Sequence, residues 1–102
     1  MNYIEDGTAE IVLQPARYLI LRFLQDSVIS MYIDEIAKVV KVHPRMVSHH
    51  VDILEEKGLI ISKYELINSH NSKRKVAVRL CSVTQKLYEV FEEIRESVSL
   101  RK

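Results

Sequence analysis

Apolar residues recur every three or four positions in several stretches of the chain, the spacing of one face of an α-helix. The first such stretch covers residues 15–25, with Pro15 suited to a first helical turn and Arg17 off the apolar face. The apolar side of this helix consists of Leu19, Ile20, Phe23 and Leu24. Residues 1–13 are open to two interpretations, since their apolar residues fit either a short helical turn or a surface that packs against a partner subunit.

Two more helices are predicted close together. Residues 32–40 repeat the helical pattern and carry two acids in the first turn, where the helix dipole favours negative charge. A new helix begins at Pro44, which is tolerated only in a first turn, and ends before Gly58. Its buried stripe is Val47, Val51 and Leu54. The three or four residues between these helices are the spacing of a helix-turn-helix.

The pattern then changes from helical spacing to a hairpin. Residues 59–67 and 75–83 are rich in branched and aromatic side chains, and the stretch between them is polar, which is typical of two paired strands. Ser82, with Gln85 three positions later, fits a capping box and predicts that a last helix begins there. The apolar side of that helix consists of Val83, Leu87, Val90, Phe91, Ile94 and Val98.

Together these elements predict a mainly α-helical fold with a small β-hairpin wing, a winged helix-turn-helix. The chain of 102 residues, 47% hydrophobic, is expected to form one domain over residues 1–102. Its recognition helix would cover about 44–57, its wing about 59–82 and its C-terminal helix about 83–99. One cysteine permits no internal disulfide, and no apolar run reaches the length of a membrane span or signal core. We therefore expect a cytoplasmic protein without a membrane partner.

Charge is distributed unevenly along the chain although the net charge is only +1. Acids exceed bases in residues 1–40, whereas residues 63–82 hold five bases against one acid, Glu65. Those bases are Lys63, Lys73, Arg74, Lys75 and Arg79. The positive charge is thus concentrated in the predicted wing, as expected of a surface that meets nucleic acid.

Two segments resemble the arsenic-repressor-like (ArsR) family. Residues 47–60, VSHHVDILEEKGLI, follow the family's pattern Val-Ser-x-His-Leu-x-x-Leu-x-x-x-Gly-Leu-Val with conservative changes, and residues 14–21, QPARYLIL, are similar to its opening Asp-Pro-Thr-Arg-x-x-Ile-Leu. The resemblance covers about residues 14–94. It implies a dimeric repressor whose first and last helices pair the subunits, with the third helix in the major groove and the wing beside it.

The expected DNA contacts fall into two groups. Pro44, Arg45, Ser48 and His49 lie at the start of the recognition helix, where polar side chains can approach base edges in the major groove. Lys73, Arg74 and Lys75 in the wing would neutralise phosphates of double-stranded DNA. The homodimer interface is assigned to the C-terminal helix, because its apolar stripe is too long to stay uncovered in a small monomer. That stripe contributes Leu87, Val90, Phe91, Ile94 and Val98.

Other interpretations of single residues and of the whole chain stay open or are disfavoured. His50 is expected to be a partly buried structural residue, and Cys81 inert packing, with a redox role or a disulfide across the dimer as alternatives. The metal-sensing members of the family carry Cys-x-Cys motifs or paired Asp and His ligands that this chain lacks, so no metal or other cofactor is expected. No phosphate loop or catalytic triad is present, which disfavours an enzyme. The serious alternative is a winged-helix protein-interaction module that does not bind specific DNA.

Overall fold

The computed structural model describes residues 2–27, 30–68 and 75–100. Along them the elements follow in the order α1 (Thr8–Val12), α2 (Pro15–Asp26), β1 (Met31–Tyr32), α3 (Ile33–Val40), α4 (Pro44–Glu56), β2 (Ile60–Asn68), β3 (Lys75–Val83) and α5 (Gln85–Leu100). The sequence of helix, helix, turn, helix, hairpin and helix confirms the predicted winged helix-turn-helix. The structure adds the strand β1 to it, and α1 lies in the segment for which a short helical turn was one of two interpretations.

The hairpin is part of a three-stranded antiparallel sheet in the order β1-β3-β2. β2 and β3 pair along their full lengths, from Ile60 opposite Val83 to Asn68 opposite Lys75. The two-residue strand β1 was not predicted, because two residues are too few to show an alternating pattern. Tyr32, expected in a helix, instead pairs with Leu80 and caps α3, and its N–H donates to Oε1 of Glu35 at 2.9 Å.

The start of α5 differs from the prediction. Ser82 and Val83 are the last residues of β3, opposite Ile61 and Ile60, and the helix begins at Gln85. The predicted capping box at Ser82 is therefore wrong, because the ladder with β2 holds these residues in extended backbone. Thr84 makes the transition, and its hydroxyl donates to the carbonyl oxygen of Gly58 at 2.6 Å.

The core lies between the helices and the inner face of the sheet. Fully buried side chains from every layer meet there: Val12, Ile20, Leu21, Ile36, Val47, Val51, Leu54, Leu59, Cys81, Leu87 and Val90. The predicted stripe of α4 is thereby confirmed. In α2 the prediction placed Leu19 inside, but it is 52% exposed and Leu21 is buried instead. The buried face of α2 lies between Ile20, Leu21 and Leu24, and Leu19 is about 100° from Ile20 on the other side.

The N-terminal segment packs on its own chain. Val12 of α1 is fully buried and Tyr3 is 8% exposed. The N–H of Ile4 donates to Oε2 of Glu93 on α5 at 2.9 Å, which holds the segment against that helix. The predicted short helical turn is confirmed as α1, while Ile4 and Leu13 of the same segment stay exposed.

Candidate nucleic-acid interface

The turn between α3 and α4 sets the direction of the candidate recognition helix. Lys41 ends α3 in the left-handed region with φ 58° and ψ 44°, which costs a lysine about 1 kcal/mol relative to right-handed backbone. The N–H of Val42 then donates to the carbonyl of Ala37 at 3.3 Å and closes the end of α3. His43 is extended, and its Nδ1 accepts from the N–H of Arg45 at 3.1 Å. A backbone reversal followed by a side-chain cap starts α4 at Pro44, as predicted.

The first turns of α4 present their polar side outward. Pro44, Arg45 and His49 are exposed and Ser48 is half-buried, while Val47 and Val51 fix the opposite side in the core. The spacing of Arg45, Ser48 and His49 places all three on one face of the helix. This face is a convex, polar surface of the size that enters a major groove. Met46, which no sequence pattern singled out, is 47% exposed beside Arg45, and its side chain is of the apolar kind that contacts thymine methyl groups in protein–DNA complexes.

The wing consists of β2 and β3, and its far half projects beyond the core. Lys75, the first residue of β3, is exposed, and so is Lys63 of β2. Lys73 and Arg74 lie outside the described residues. Of the three predicted phosphate contacts, the structure thus gives a position to Lys75 alone.

Arg79 is bound within the chain. Its side chain is only 11% exposed, and Nη1 donates to Oδ1 of Asp52 on α4 at 2.6 Å. Nη2 lies 3.4 Å from Oε2 of Glu55, and Nε donates to the hydroxyl of Ser62 at 2.8 Å. The wing charge that the sequence suggested is therefore partly neutralised by acids of α4. The sequence around Arg79 does not reveal these ion pairs, because the acids that form them belong to α4, a distant element.

A second arginine braces α4 from the other side. Arg17 of α2 is half-buried, contrary to the prediction that it lies off the packed face, and its Nε donates to the carbonyl of Ile11 at 2.7 Å. Its Nη1 lies 3.4 Å from Nδ1 of His50. His50 is 6% exposed, and burial, followed by the charges of Arg17 and His49, lowers the pKa of its imidazole. The expected structural role of His50 agrees with this placement.

The apolar stripe of α5 divides between two surroundings. Leu87 and Val90 have no exposed surface and belong to the core of their own chain, so neither can touch a second subunit directly. Phe91 and Ile94 are half-buried, and Val98 is 57% exposed. Of the five predicted dimer contacts, Phe91, Ile94 and Val98 keep surface that a partner can reach, and the dimer interface stays a prediction for these three.

An open groove of about 760 Å³ lies beside that face, between the N-terminal segment and the end of α5. It is lined by Ile4, Ala9, Glu10, Leu13, Gln14, Arg17, Ile94, Ser97 and Val98. Ile4, Leu13 and Val98 are each more than two-fifths exposed, so the groove carries apolar surface open to solvent. It continues past Leu13 into a smaller hollow that Tyr18 and Phe91 line.

The other candidate chemistry is limited. Cys81 is fully buried, and burial raises the pKa of its thiol, which disfavours both a redox role and a disulfide across a dimer. In the described part of the chain, no three His, Cys, Asp or Glu side chains stand close enough to hold a metal ion. Across the same residues, no helix is long and apolar enough to span a membrane.

Part of this arrangement matches a known protein family. The family of bacterial regulatory proteins described as arsR matches residues 14–62, which run from the cap of α2 through α3 and α4 to the start of β2. The match agrees with the resemblance seen in residues 14–21 and 47–60. Among curated proteins, no match to the chain is found.

Solved structures with the same fold include transcription regulators. The YusO protein from Bacillus subtilis is 28% identical over 94% of this chain, with a TM-score of 0.63. A zinc-responsive MarR family member, ZitR from Lactococcus lactis, is 23% identical over 81% of this chain with a TM-score of 0.52. A possible transcriptional regulator from Methanosarcina mazei Go1 is 18% identical over 96% of this chain, at 0.62. The chain spans 64%, 51% and 81% of the lengths of these proteins, respectively.

Proposed function

We propose, from the premise that residues 14–62 form an arsR-type helix-turn-helix domain, that this chain is a sequence-specific regulator that binds double-stranded DNA as a homodimer. It performs no catalysis, acts in the cytoplasm and, by covering its operator against other proteins, represses transcription. The observation that carries the proposal is the exposed polar face at the start of α4. The opposite side of the same helix is buried in the core, which fixes the orientation of this face.

Base recognition falls to the first two turns of α4. The guanidinium of Arg45 is exposed and has the geometry to bind the N7 and O6 atoms of guanine as a pair. Ser48 and His49, on the same face, reach neighbouring base edges or phosphates. Pro44 lies at the tip of the helix, where it contacts the sugar-phosphate backbone or the edge of the groove.

Phosphate binding falls to the wing. Lys75 is exposed at the far end of β3, and Lys73 and Arg74 precede it in the chain. Contacts between basic side chains and phosphates supply affinity and salt dependence with little preference for sequence. The wing thus holds the protein on DNA while α4 selects the site.

Dimerisation is assigned to the groove beside α5. Apolar surface at Leu13, Ile94 and Val98 stays partly open in the single chain, and a second copy related by a two-fold axis would cover it twice. Two recognition helices would then lie about 34 Å apart, one turn of DNA, and the operator would be an imperfect palindrome.

A protein-interaction module is the second candidate. The observation that favours it is the exposed apolar surface of the wing, where Tyr64 is 64% and Leu66 69% exposed. The net charge of +1 also suits this role better than it suits strong general binding to DNA. In this case the basic residues of the wing would be dispensable.

Titration of the purified protein with random-sequence duplex DNA at two salt concentrations separates the two functions. The regulator hypothesis predicts an affinity that falls steeply with salt, and a salt slope that decreases by about one when Lys75 is changed to Ala. The Arg45→Ala, Ser48→Ala double variant should lose preference for a selected operator, each lost base contact costing about 1–3 kcal/mol. The control for Lys75→Ala is Lys57→Ala, which also removes one positive charge, because Lys57 is exposed at the far end of α4. Absence of binding at low salt would favour the interaction module.

A further inference from the structure

The contact between Arg79 and α4 joins the two parts of the proposed DNA surface. Each of the three guanidinium nitrogens of Arg79 has its own partner, Asp52, Glu55 or Ser62, and the ring of Tyr64 lies 5.9 Å away. Two of these partners belong to the recognition helix and two to the wing. An arginine fork held at every nitrogen is a far more directional link than a single lysine contact.

The carboxylate of Asp52 stands at an unexpected position. It lies on the same face of α4 as Arg45, four residues beyond Ser48 and three beyond His49, and its side chain is 65% exposed. A free carboxylate there would repel the phosphates of a bound duplex. The ion pair with Arg79, whose side chain is largely buried, offsets that repulsion. This pairing explains why an acid can lie on this face.

We propose that Asp52, with Glu55 beside it, acts as a positioning residue for DNA binding. It fixes Arg79, and through β3 it fixes the angle of the wing relative to α4. Lys75 lies four residues from Arg79 on the same strand, about 13 Å away, so the orientation at Arg79 decides where Lys75 meets the duplex. Arg79 itself is not a phosphate contact. This inference rests on the proposed binding of DNA.

Asp52→Asn is the sharpest test, because simple electrostatics and positioning predict opposite signs. Removing a negative charge from the DNA-facing helix should strengthen binding if charge alone matters. If Asp52 positions the wing, binding of random-sequence duplex DNA should instead weaken by about three- to tenfold. The exposed side chain of Asp52 carries little packing, so the variant should fold, as its thermal unfolding will show.

Glu56→Gln is the matched control. Glu56 is exposed on the same helix and makes no ion pair among the residues that the structure describes, so its loss should leave binding unchanged or slightly stronger. A positioning role also predicts that Lys75→Ala costs less in the Asp52→Asn background than in the wild type. Binding by Asp52→Asn as tight as by Glu56→Gln would overturn the proposal.

Hydrogen exchange of the free protein distinguishes a failure of this inference from a failure of the proposed function. Amides of β2 and β3 should exchange faster in Asp52→Asn and in Arg79→Lys, which keeps the charge but cannot make the fork, and should be unchanged in Glu56→Gln. Faster exchange in a protein that never binds DNA would support the link and reject the DNA function. Equal exchange in Asp52→Asn and the wild type would reject the link.

Discussion

Nη1 of Arg17 lies 3.4 Å from Nδ1 of His50, and a guanidinium can only donate, so the imidazole accepts through an unprotonated Nδ1. The proton of the neutral ring is then on Nε2. Because Arg17 also donates to the carbonyl of Ile11, one side chain ties the end of α1 and the start of α2 to the middle of α4. Protonation of His50 would turn the acceptor into a donor that faces a positive charge.

We expect the free energy of unfolding to depend on the protonation of His50. Its pKa in the folded state is lowered, by burial first and then by Arg17 and His49, so the unfolded chain binds this proton more readily. The stability that the neutral His50 contributes is fully present above about pH 6.5, the usual pKa of histidine, and it is lost as the pH falls through the folded-state pKa. In His50→Asn, which retains an acceptor but does not titrate, this acid destabilisation should be smaller in urea unfolding at a series of pH values.

His49→Asn serves as the control, because His49 is an exposed neighbour on the same helix. Because its charge is the smallest of the three influences on the pKa of His50, its pH profile between pH 7 and 5 should lie closer to that of the wild type than the profile of His50→Asn does. Equal slopes for His50→Asn and the wild type in this range would contradict a neutral, buried His50. Asp6, whose pKa is lowered by its hydrogen bonds to Thr8, acts at a lower pH, near and below its ordinary value of 3.8, and does not interfere.

The sequence was sufficient for the order of the elements because each long element carries its own period. The apolar residues of α4 recur at helical spacing, Pro44 marks its first turn, and Gly58, at φ 75°, marks the reversal into the wing. The two-residue strand β1 has no period of its own. It exists because Met31 and Tyr32 complete the ladder of β3, a long-range partner that no local pattern reveals.

The candidate site was less predictable where similar residues in one segment have different surroundings in the fold. The stripe of α5 looks uniform, yet Leu87 packs within the chain and Val98 faces outward, since the helix extends beyond the core that covers its first half. Arg79 looked like another wing base, but its partner Asp52 is 27 positions away in the sequence. Which charges are free for DNA therefore depends on tertiary contacts rather than on composition.

Leu87→Ala tests the assignment of this residue to the core. Leu87 is fully buried, and truncation of such a leucine removes apolar contacts and leaves a cavity, which should cost about 2–5 kcal/mol of unfolding free energy. Leu66→Ala, at a wing residue that is 69% exposed, should change stability by less than about 0.5 kcal/mol. Both values come from urea unfolding at one protein concentration. A small effect of Leu87→Ala on stability, with a large effect on self-association, would return Leu87 to the interface.

Cys81 should be unreactive in the folded protein. Its thiol is fully buried in β3, and burial raises its pKa, which lowers the fraction of nucleophilic thiolate at neutral pH. An aromatic disulfide reagent should label the native protein at least about a hundredfold more slowly than the same protein in denaturant, because reaction requires opening of the sheet. Equal labelling rates in the two conditions would restore a redox role for this residue.

Val98→Glu tests the dimer proposal on the exposed part of α5. Val98 is 57% exposed beside the groove, so a glutamate there is solvated in a monomer but would be buried without a partner in a dimer. We expect the dimer dissociation constant, measured by sedimentation velocity over a dilution series, to rise by at least about tenfold. Val39→Glu is the matched control, since Val39 is 53% exposed on α3, away from the groove. If the two variants and the wild type sediment alike, self-association does not use this face of α5, and the proposed pairing of two α4 helices through it is rejected.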